Sequence, residues 1–131
     1  YIRFGTFGAR LDDVLNYLPA RLAFLIMPVA AFAAGESARV CWQIARRDHR
    51  HHASPNAGVP EAAMSGALQV RLGGPTVYNG EVEHKEFFGA EFRAPDPPDI
   101  PRALVVMLLA SLLSCFLACD LIWIRGEILG L

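Results

Sequence analysis

The sequence predicts a mainly α-helical integral membrane protein in which a polar loop, short helices and a small β-hairpin are inserted between hydrophobic helices. Hydrophobic residues make up 53% of the 131, and the excess is concentrated in two segments. A charged stretch rich in glycine and proline separates these segments. We interpret residues 1–131 as one partial domain, with a hydrophobic helical segment at 9–35, a polar active-site loop region at 36–101 and a transmembrane helix at 103–124.

The first hydrophobic segment, residues 9–35, is interrupted by Pro28. Its most apolar part, residues 22–34, is shorter than the roughly 20 residues that a membrane-crossing helix needs. Extending it back across Arg21 gives enough length, because an arginine near the end of a span can reach the headgroups. A span kinked at the proline and a re-entrant helical pair both fit this pattern.

The second hydrophobic segment, residues 103–124, contains only one charged residue, Asp120. Arg102 and Arg125 flank it. A stretch of about 20 apolar residues is long enough to cross a bilayer as a helix, so we predict a transmembrane helix here.

Two short helices are predicted between the hydrophobic segments. Ser37 is suited to cap the start of a helix over residues 38–47. Pro60 and Glu61 are suited to open a second helix, which we expect to end at 73–75. The small residues at 62–67 allow another helix to approach the second helix closely.

A short hairpin and an extended connector complete the polar region. Asn79 and Gly80 form a turn signal between the short runs Thr-Val-Tyr at 76–78 and Glu-Val-Glu at 81–83, which predicts a β-hairpin. Four prolines within 89–101 predict an extended connector.

The net charge and the cysteines narrow the class of protein further. The net charge of −1 gives no electrostatic reason to expect nucleic-acid binding. The three cysteines, Cys41, Cys115 and Cys119, lie in apolar contexts, and we predict that they are buried free thiols.

The densest polar chemistry lies in residues 46–75. His49, His51 and His52 suit three kinds of site: a metal site, a basic solvated loop near anionic headgroups, or an anion site. The anion site is favoured by Asp48 and Glu61, because carboxylates that hold Mg²⁺ beside arginines that hold phosphate suit a nucleotide or phosphate substrate. The GxxxxGK[ST] phosphate loop does not occur in the sequence.

An upstream motif, a signature between residues 47 and 75 and scattered downstream positions together match the pattern of a known protein family. These residues are Arg10-Leu11-Asp12-Asp13, Asn16, Pro19-Ala20-Arg21, Arg47-Asp48, His52, Ser54-Pro55-Asn56-Ala57-Gly58, Pro60-Glu61-Ala62-Ala63-Met64, Gly66-Ala67-Leu68, Arg71-Leu72-Gly73-Gly74-Pro75, Tyr78, Gly80 and Asp99-Ile100. In these positions the sequence resembles the CbiB/CobD family of cobalamin-biosynthesis proteins, and the resemblance extends over most of residues 1–105. The sequence departs from the family at Val59, where tryptophan is usual, and at Glu86, where proline is usual.

The resemblance implies an integral, multi-pass protein of a bacterial-type inner membrane, in contact with membrane lipid. It implies an amide-forming ligase that joins adenosylcobyric acid to aminopropanol or its O-phosphate, giving adenosylcobinamide or its phosphate, with ATP and Mg²⁺ driving the reaction. Proteins of the family are longer than this chain, so the resemblance also implies a remaining N-terminal part of the same protein as a partner. A non-catalytic membrane protein that binds or transfers corrinoids is the alternative, and a membrane anchor with a basic loop is a third interpretation.

The resemblance supplies the positions of the candidate residues, and the roles that we assign to them are our own hypothesis. We hypothesise that the substrate carboxylate is activated as an acyl phosphate, which the amine then attacks. The catalytic candidates are Asp48, His52 and Glu61. The candidates for holding Mg²⁺ are Asp12, Asp13, Asp48 and Glu61. The candidates for holding substrate or phosphate are Arg47, Ser54, Asn56, Arg71, Gly73 and Gly74.

Overall fold

The computed structural model describes residues 2–52, 54, 56–78 and 80–130, without the side chains of 2–7, 9, 78 and 129. Pro55 of the signature, Asn79 of the predicted turn and the Tyr78 side chain therefore lie outside the described residues. The helices are α1 (Ile2–Ala33), α2 (Ala38–Asp48), α3 (Gly58–Leu68) and α4 (Asp99–Leu129), with a 3₁₀ turn at His49–His51. The strands are β1 (Leu72–Gly73), β2 (Thr76–Tyr78), β3 (Glu81–Glu83) and β4 (Phe87–Phe88).

The first hydrophobic segment is one continuous helix, which decides between the two predicted forms. α1 passes through both Pro19 and Pro28 without a break, so the re-entrant pair is wrong. The segments Arg10–Ala33 of α1 and Asp99–Ile128 of α4 are long and apolar enough to cross a membrane. In the most apolar window of each, 22% and 6% of the residues are buried within the described chain.

The helix predicted after Ser37 is confirmed as α2, and the Ser37 side chain accepts a hydrogen bond from the Val40 N–H at 3.4 Å. The predicted end of the second helix is wrong. α3 ends at Leu68 because Gln69 adopts the left-handed conformation, with φ 55°, and its N–H donates back to the Ser65 carbonyl. The chain therefore turns before it reaches Gly73.

Two small antiparallel sheets follow α3. The predicted hairpin is confirmed as β2 paired with β3, with Val77 opposite Val82. The second sheet, β1 paired with β4, was not predicted, and it places Leu72 opposite Phe88. The proline-rich connector follows β4, and the helix predicted from residue 103 begins earlier, at Asp99.

The core forms where α1, α2, α3 and α4 meet, and most of its side chains are small. Its buried members are Met27, Ala30, Ala31, Cys41, Ala45, Ala63, Ala67 and Val106. A Cβ placed on Gly66 would lie 2.6 Å from the Val40 carbonyl oxygen and 2.8 Å from the Cys41 Cα. The predicted packing role of the small residues is therefore confirmed, since the backbones of α2 and α3 touch only because Gly66 has no side chain.

Outside this core, α1 and α4 expose large apolar side chains. Phe32 is 76% exposed, and Ile122 and Trp123 are 71% and 68% exposed. The prediction of buried thiols holds for Cys41 only, because Cys115 and Cys119 lie on the exposed surface of α4. All three thiols are free, as predicted.

Candidate functional site

A cleft of about 380 Å³ lies between α1 and the segment that leads into α3. We call it the Asn56 cleft. Its polar lining comes from Asp12, Asn16, Ser54 and Asn56, and its apolar lining from Pro19, Ala20, Ala23, Ala57 and Pro60.

The α1 side of the Asn56 cleft is built by helical spacing. Asp12 and Asn16 are four residues apart, so their side chains lie one above the other on the same face of α1. Asn16 Nδ2 donates to Asp12 Oδ1 at 2.8 Å. The Asp12 carboxylate is thereby oriented, and its other oxygen has no hydrogen-bond partner among the described residues.

The other side of the cleft is tied to α1 through Asp13. Asn56 Nδ2 donates to the Asp13 backbone carbonyl at 2.7 Å, and Ser54 Oγ donates to Asp13 Oδ1 at 3.3 Å. The Asn56 backbone N–H donates to Ser54 Oγ at 3.4 Å. Two motifs that are distant in the sequence therefore form one site, and the Asp13 carboxylate serves as the link between them.

These hydrogen bonds fix the orientation of the Asn56 amide. Its Nδ2 faces a carbonyl oxygen, and the reversed amide would place two acceptors against each other. Asn56 is only 5% exposed, and its Oδ1 has no hydrogen-bond partner among the described residues. Such buried acceptors are rare in native structures. Asn56 Oδ1 is therefore a buried acceptor that the described part of the chain leaves unsatisfied.

A second, mostly apolar cavity of about 660 Å³ lies beside the Asn56 cleft, between α1, α3 and α4. Ala23 and Pro60 line both cavities. Glu61 is an exposed residue in the first turn of α3 and is the one acidic residue in the lining of this second cavity. Its carboxylate thus lies beside apolar surface, next to the polar cleft.

Asp48 lies in a different environment, which we call the Asp48 cluster and define by Arg47, Asp48, Gly89 and Glu91. Asp48 is 1% exposed. The Arg47 guanidinium donates to both Asp48 oxygens, at 2.5 and 2.9 Å, and the Gly89 N–H donates to Oδ2 at 2.8 Å. Arg47 also donates to the two Glu91 oxygens at 2.8 and 2.9 Å.

The charges of the Asp48 cluster stabilise one another. Burial by itself raises the pKa of Asp48, but the hydrogen bonds from Arg47 and Gly89 outweigh it and leave the pKa below its usual value. The hydrogen bond from Arg47 likewise lowers the pKa of Glu91. The same bonds, first to Asp48 and then to Glu91, raise the pKa of Arg47. The cluster is therefore a closed ion pair between α2 and the segment after β4.

The three predicted histidines do not share one environment. The Ser54 backbone N–H donates to His52 Nδ1 at 2.9 Å, so the neutral ring carries its proton on Nε2 and is a hydrogen-bond donor there. His49 Nδ1 lies 3.0 Å from the Ala45 carbonyl oxygen. His51 contacts the Phe87 carbonyl through Nδ1 at 3.1 Å and the Glu86 carboxylate through Nε2 at 3.0 Å.

The His51 contacts give a structural meaning to one departure from the resembled family. Both ring nitrogens of His51 lie within hydrogen-bond distance of an oxygen of the chain. Its carboxylate partner, Glu86, stands where proline is usual in that family. A proline at this position would leave His51 Nε2 without that contact.

The glycines at 73 and 74 serve the small sheet. Gly74 has φ 89°, and a Cβ on it would lie 2.2 Å from the Phe87 ring. Its N–H donates to the Glu86 carbonyl at 3.4 Å. The Arg71 guanidinium lies 5.2 Å from the centre of the Phe87 ring, as a cation–π contact. The proposed phosphate-binding roles of Arg71, Gly73 and Gly74 stay predictions.

The four predicted metal-binding carboxylates do not form one cluster. No group of three or more His, Cys, Asp or Glu side chains suited to a metal occurs in the described part of the chain. Asp48 is enclosed by the Asp48 cluster, Glu61 lines the apolar cavity, and Asp12 and Asp13 lie at the Asn56 cleft. The described residues therefore do not fit a four-carboxylate Mg²⁺ site.

Sequence reasoning missed Gly89 and Glu91, which complete the Asp48 cluster. Each is more than forty positions from its partner in the sequence, and no periodicity signals such a contact. The only sequence signal is the glycine after Phe88. A Cβ there would lie 2.5 Å from both Ser65 Oγ and the Phe92 ring, and the Gly89 φ is 57°.

Two long apolar helices beside a polar, ligand-sized cleft define a mainly helical protein with a candidate small-molecule site. The chain belongs to the CobD/Cbib protein family, whose model matches residues 1–107. This result confirms the resemblance seen in the sequence.

Several curated relatives carry the name Cobalamin biosynthesis protein CobD. The relative from Desulfotalea psychrophila is 45% identical over 117 residues, which cover 89% of this chain and 36% of the relative. The relative from Geobacter metallireducens is 52% identical over 89 residues, covering 68% of this chain and 28% of the relative. The relative from Mycobacterium tuberculosis H37Rv is 42% identical over 125 residues, covering 95% of this chain and 40% of the relative. The chain thus spans well under half the length of these relatives, and no solved structure matches it.

Proposed function

We propose that the protein containing this chain acts in cobalamin biosynthesis, as the names of its relatives indicate. The proposed reaction is ATP-dependent amide formation between adenosylcobyric acid and aminopropanol or its O-phosphate. The observation that carries the proposal is the convergence of two motifs of the resembled family, Asp12-Asp13 with Asn16 and Ser54 with Asn56, on one cleft.

The proposed chemistry has two steps. The substrate carboxylate attacks the terminal phosphorus of ATP, which gives an acyl phosphate and releases ADP. The amine nitrogen then attacks the acyl carbon, the bond to the phosphate oxygen breaks, and the nitrogen loses a proton. ATP supplies the driving force because forming an amide from a free carboxylate in water is unfavourable.

The described residues support parts of this reaction. The Asn56 cleft supplies a carboxylate and amide groups for a small polar substrate, and the adjoining apolar cavity with Glu61 provides surface for a large, partly apolar one. His52 Nε2–H is available as a hydrogen-bond donor. Mg²⁺ bound with ATP would neutralise phosphate charge. Since the four carboxylates do not converge, we assign no step to the metal.

We also propose that the protein lies in a membrane. The two long apolar helices and the large exposed apolar side chains of α1 and α4 support this location. A multi-pass arrangement in a bacterial-type inner membrane is part of the same proposal.

The test uses the complete protein in which this chain occurs, purified in detergent or lipid. Adenosylcobyric acid, aminopropanol phosphate and Mg-ATP are supplied, and the corrinoid is followed by mass spectrometry. We expect a mass gain of one condensed amine, one ATP consumed per amide formed, and a large loss of product in Asp12→Asn. Glu81→Gln, an exposed carboxylate on the hairpin, is the matched control.

Two results would contradict the synthetase. Corrinoid that binds but stays unchanged in mass would favour the non-catalytic corrinoid-binding or transfer protein. Product formed at the same rate without ATP would contradict the acyl-phosphate route.

A further inference from the structure

A small pocket of about 250 Å³ lies between α1, the 3₁₀ turn and the start of α3. Its lining consists of Arg21, Phe24, His49 and Val59, and we call it the Val59 pocket. None of these four residues lines the Asn56 cleft or the apolar cavity that adjoins that cleft. The proposed function assigns no role to them, so the Val59 pocket is a separate feature of the fold.

Close packing fixes the floor of the Val59 pocket. A Cβ on Gly58 would overlap the His49 carbonyl oxygen, so the start of α3 rests directly against the 3₁₀ turn. Val59, the next residue, is 1% exposed and forms the floor. The side chains of Arg21, Phe24 and His49 are only partly buried, so these are the side chains that a ligand would contact.

Arg21 gives the Val59 pocket a positive charge. Its guanidinium lies 4.6 Å from the centre of the Tyr17 ring, and this cation–π contact covers one face of the planar group. The described lining of the pocket contains no carboxylate to balance the charge. Guanidinium N–H groups bind carboxylates through two parallel hydrogen bonds, so the pocket favours an anionic group beside Arg21.

His49 gives the same pocket a hydrogen-bond acceptor. Its Nδ1 lies 3.0 Å from the Ala45 carbonyl oxygen and 3.2 Å from the Arg46 carbonyl oxygen, so the neutral ring carries its proton on Nδ1 and accepts through Nε2. In the described part of the chain, Asn56 Oδ1 is the one enclosed side-chain atom without a partner, so Nε2 is open to solvent. A ligand group that binds Nε2 must carry an O–H or N–H donor.

The remaining walls favour a flat ring. The Phe24 ring is held in place by Trp42, whose ring centre lies 4.3 Å away, and Val59 adds aliphatic surface. Aromatic rings pack well against other rings and against guanidinium groups. A volume of about 250 Å³ lies below the range for drug-sized ligands and suits a ligand of one ring.

We propose that the Val59 pocket binds a small aromatic carboxylate that also carries a hydroxyl or N–H donor, with Arg21 holding the carboxylate and His49 Nε2 accepting from the donor. The site lies outside the residues assigned to amide formation, so this inference goes beyond the proposed function and does not depend on it. It gives a common role to Arg21 of the upstream motif and His49 of the histidine-rich stretch.

Three probes test the two polar contacts separately. The complete protein in detergent is dialysed to equilibrium with radiolabelled 4-hydroxybenzoate, with neither ATP nor corrinoid present, and benzoate and phenol are added as competitors. Benzoate keeps the carboxylate but lacks the donor, whereas phenol keeps the donor but lacks the carboxylate. Compared with unlabelled 4-hydroxybenzoate, we expect phenol to compete about tenfold more weakly and benzoate about fivefold more weakly.

Variants assign each contact to its residue. Arg21→Gln removes the charge, so affinity for 4-hydroxybenzoate should fall about tenfold and the advantage over phenol should disappear. His49→Phe keeps a ring but removes the acceptor, so the advantage over benzoate should disappear instead. Arg39→Gln is the matched control, because Arg39 is an exposed arginine of α2 that does not line the pocket, and it should bind like the unmodified protein.

A larger residue at the floor tests the location of binding. Val59→Phe fills the pocket from below, and we expect it to bind 4-hydroxybenzoate at least tenfold more weakly. Since Val59 is buried, thermal unfolding of this variant is measured in parallel. If the variant does not fold, Arg21→Gln and His49→Phe decide the question, because both side chains are partly exposed.

Four outcomes would overturn the proposed site. These are no saturable binding of 4-hydroxybenzoate, unchanged affinity in Arg21→Gln, equal competition by all three probes, and full binding by a folded Val59→Phe. None of these measurements involves amide formation. A failure of the Val59 pocket therefore leaves the proposed function intact, and a failure of amide formation leaves the pocket intact.

Discussion

The Asp48 cluster and the Asn56 cleft are built from the same kinds of groups but satisfy them differently. In the cluster, both Asp48 oxygens accept hydrogen bonds from groups of the chain itself. In the cleft, the buried Asn56 oxygen has no partner among the described residues. A buried polar group that the fold satisfies contributes to stability, whereas one left unsatisfied costs stability.

The contrast between the cluster and the cleft also distinguishes two carboxylates that the sequence motifs alone do not distinguish. Asp12 and Asp48 both fall in motifs of the resembled family, and both are carboxylates predicted to hold Mg²⁺. The structure places Asp48 in an enclosed ion pair and Asp12 in the lining of a cleft. The catalytic role assigned to Asp48 stays a prediction, and substitutions can tell the two regions apart.

Asp48→Ala is expected to have the largest effect on stability. It leaves the buried Gly89 N–H without its acceptor and removes the carboxylate to which Arg47 donates two hydrogen bonds. We expect the free energy of unfolding to fall by about 3 kcal/mol. Denaturant unfolding of the complete protein, followed by circular dichroism, measures the change. An unchanged midpoint would show that the cluster does not hold the fold together.

Gly66→Ala tests the packing on which the Asp48 cluster rests. The new Cβ would lie 2.6 Å from the Val40 carbonyl oxygen, so α2 and α3 must move apart. We expect a loss of about 2 kcal/mol in the free energy of unfolding. Gly8→Ala in α1 is the matched control, because nothing lies within 4 Å of its Cβ position. That control is expected to be neutral or to gain at most about 1 kcal/mol from helix propensity.

Asp12→Asn is expected to show the opposite pattern in the Asn56 cleft. The variant keeps an oxygen for the Asn16 hydrogen bond, so the free energy of unfolding should change by no more than about 0.5 kcal/mol. Amide formation should fall about tenfold or more, which corresponds to about 1.4 kcal/mol. Unfolding curves and product formation are measured on the same preparations. A variant that is destabilised in proportion to its lost activity would abolish the distinction between the two regions.

Much of the fold was predictable because it depends on local signals. The N-cap at Ser37, the hairpin of β2 and β3 and the long apolar helix α4 follow from residue types and spacing. For α1, residue types left a kinked span and a re-entrant pair both open, and the structure decided between them. The small residues of α3 also indicated close packing. The end of α3 was not predictable, since Gln69 is a non-glycine residue in the left-handed conformation.

The candidate site was predictable in its members but not in their arrangement. The resemblance marked Asp12, Ser54, Asn56 and Asp48 alike, since a motif records which residues recur and not what each one contacts. Which carboxylate is enclosed is decided by a contact between Asp48 and the Gly89 N–H, 41 positions away. Such long-range partners depend on how the helices pack, and residue spacing does not encode them.

The smallest effect is expected from Glu91→Gln, at the exposed edge of the Asp48 cluster. The Arg47 hydrogen bonds lower the pKa of Glu91, so its folded pKa lies below its unfolded value. A lowered carboxylate pKa contributes stability at pH above the unfolded value of about 4, and this contribution is lost as the pH falls through the folded pKa. Because the Glu91 side chain is 47% exposed, the loss at pH 7 should be only about 0.2–1 kcal/mol.

The pH profile distinguishes Glu91 from the rest of the cluster. The difference in unfolding free energy between the unmodified protein and Glu91→Gln should shrink as the pH is lowered below about 4, because the unmodified carboxylate then becomes protonated. The difference in unfolding free energy between the unmodified protein and Asp48→Ala should persist there until Asp48 of the unmodified protein is protonated. In the Asp48→Ala variant, the Gly89 N–H has no acceptor at any pH. Parallel loss of both differences at the same pH would mean that Asp48 and Glu91 titrate as a single unit around Arg47.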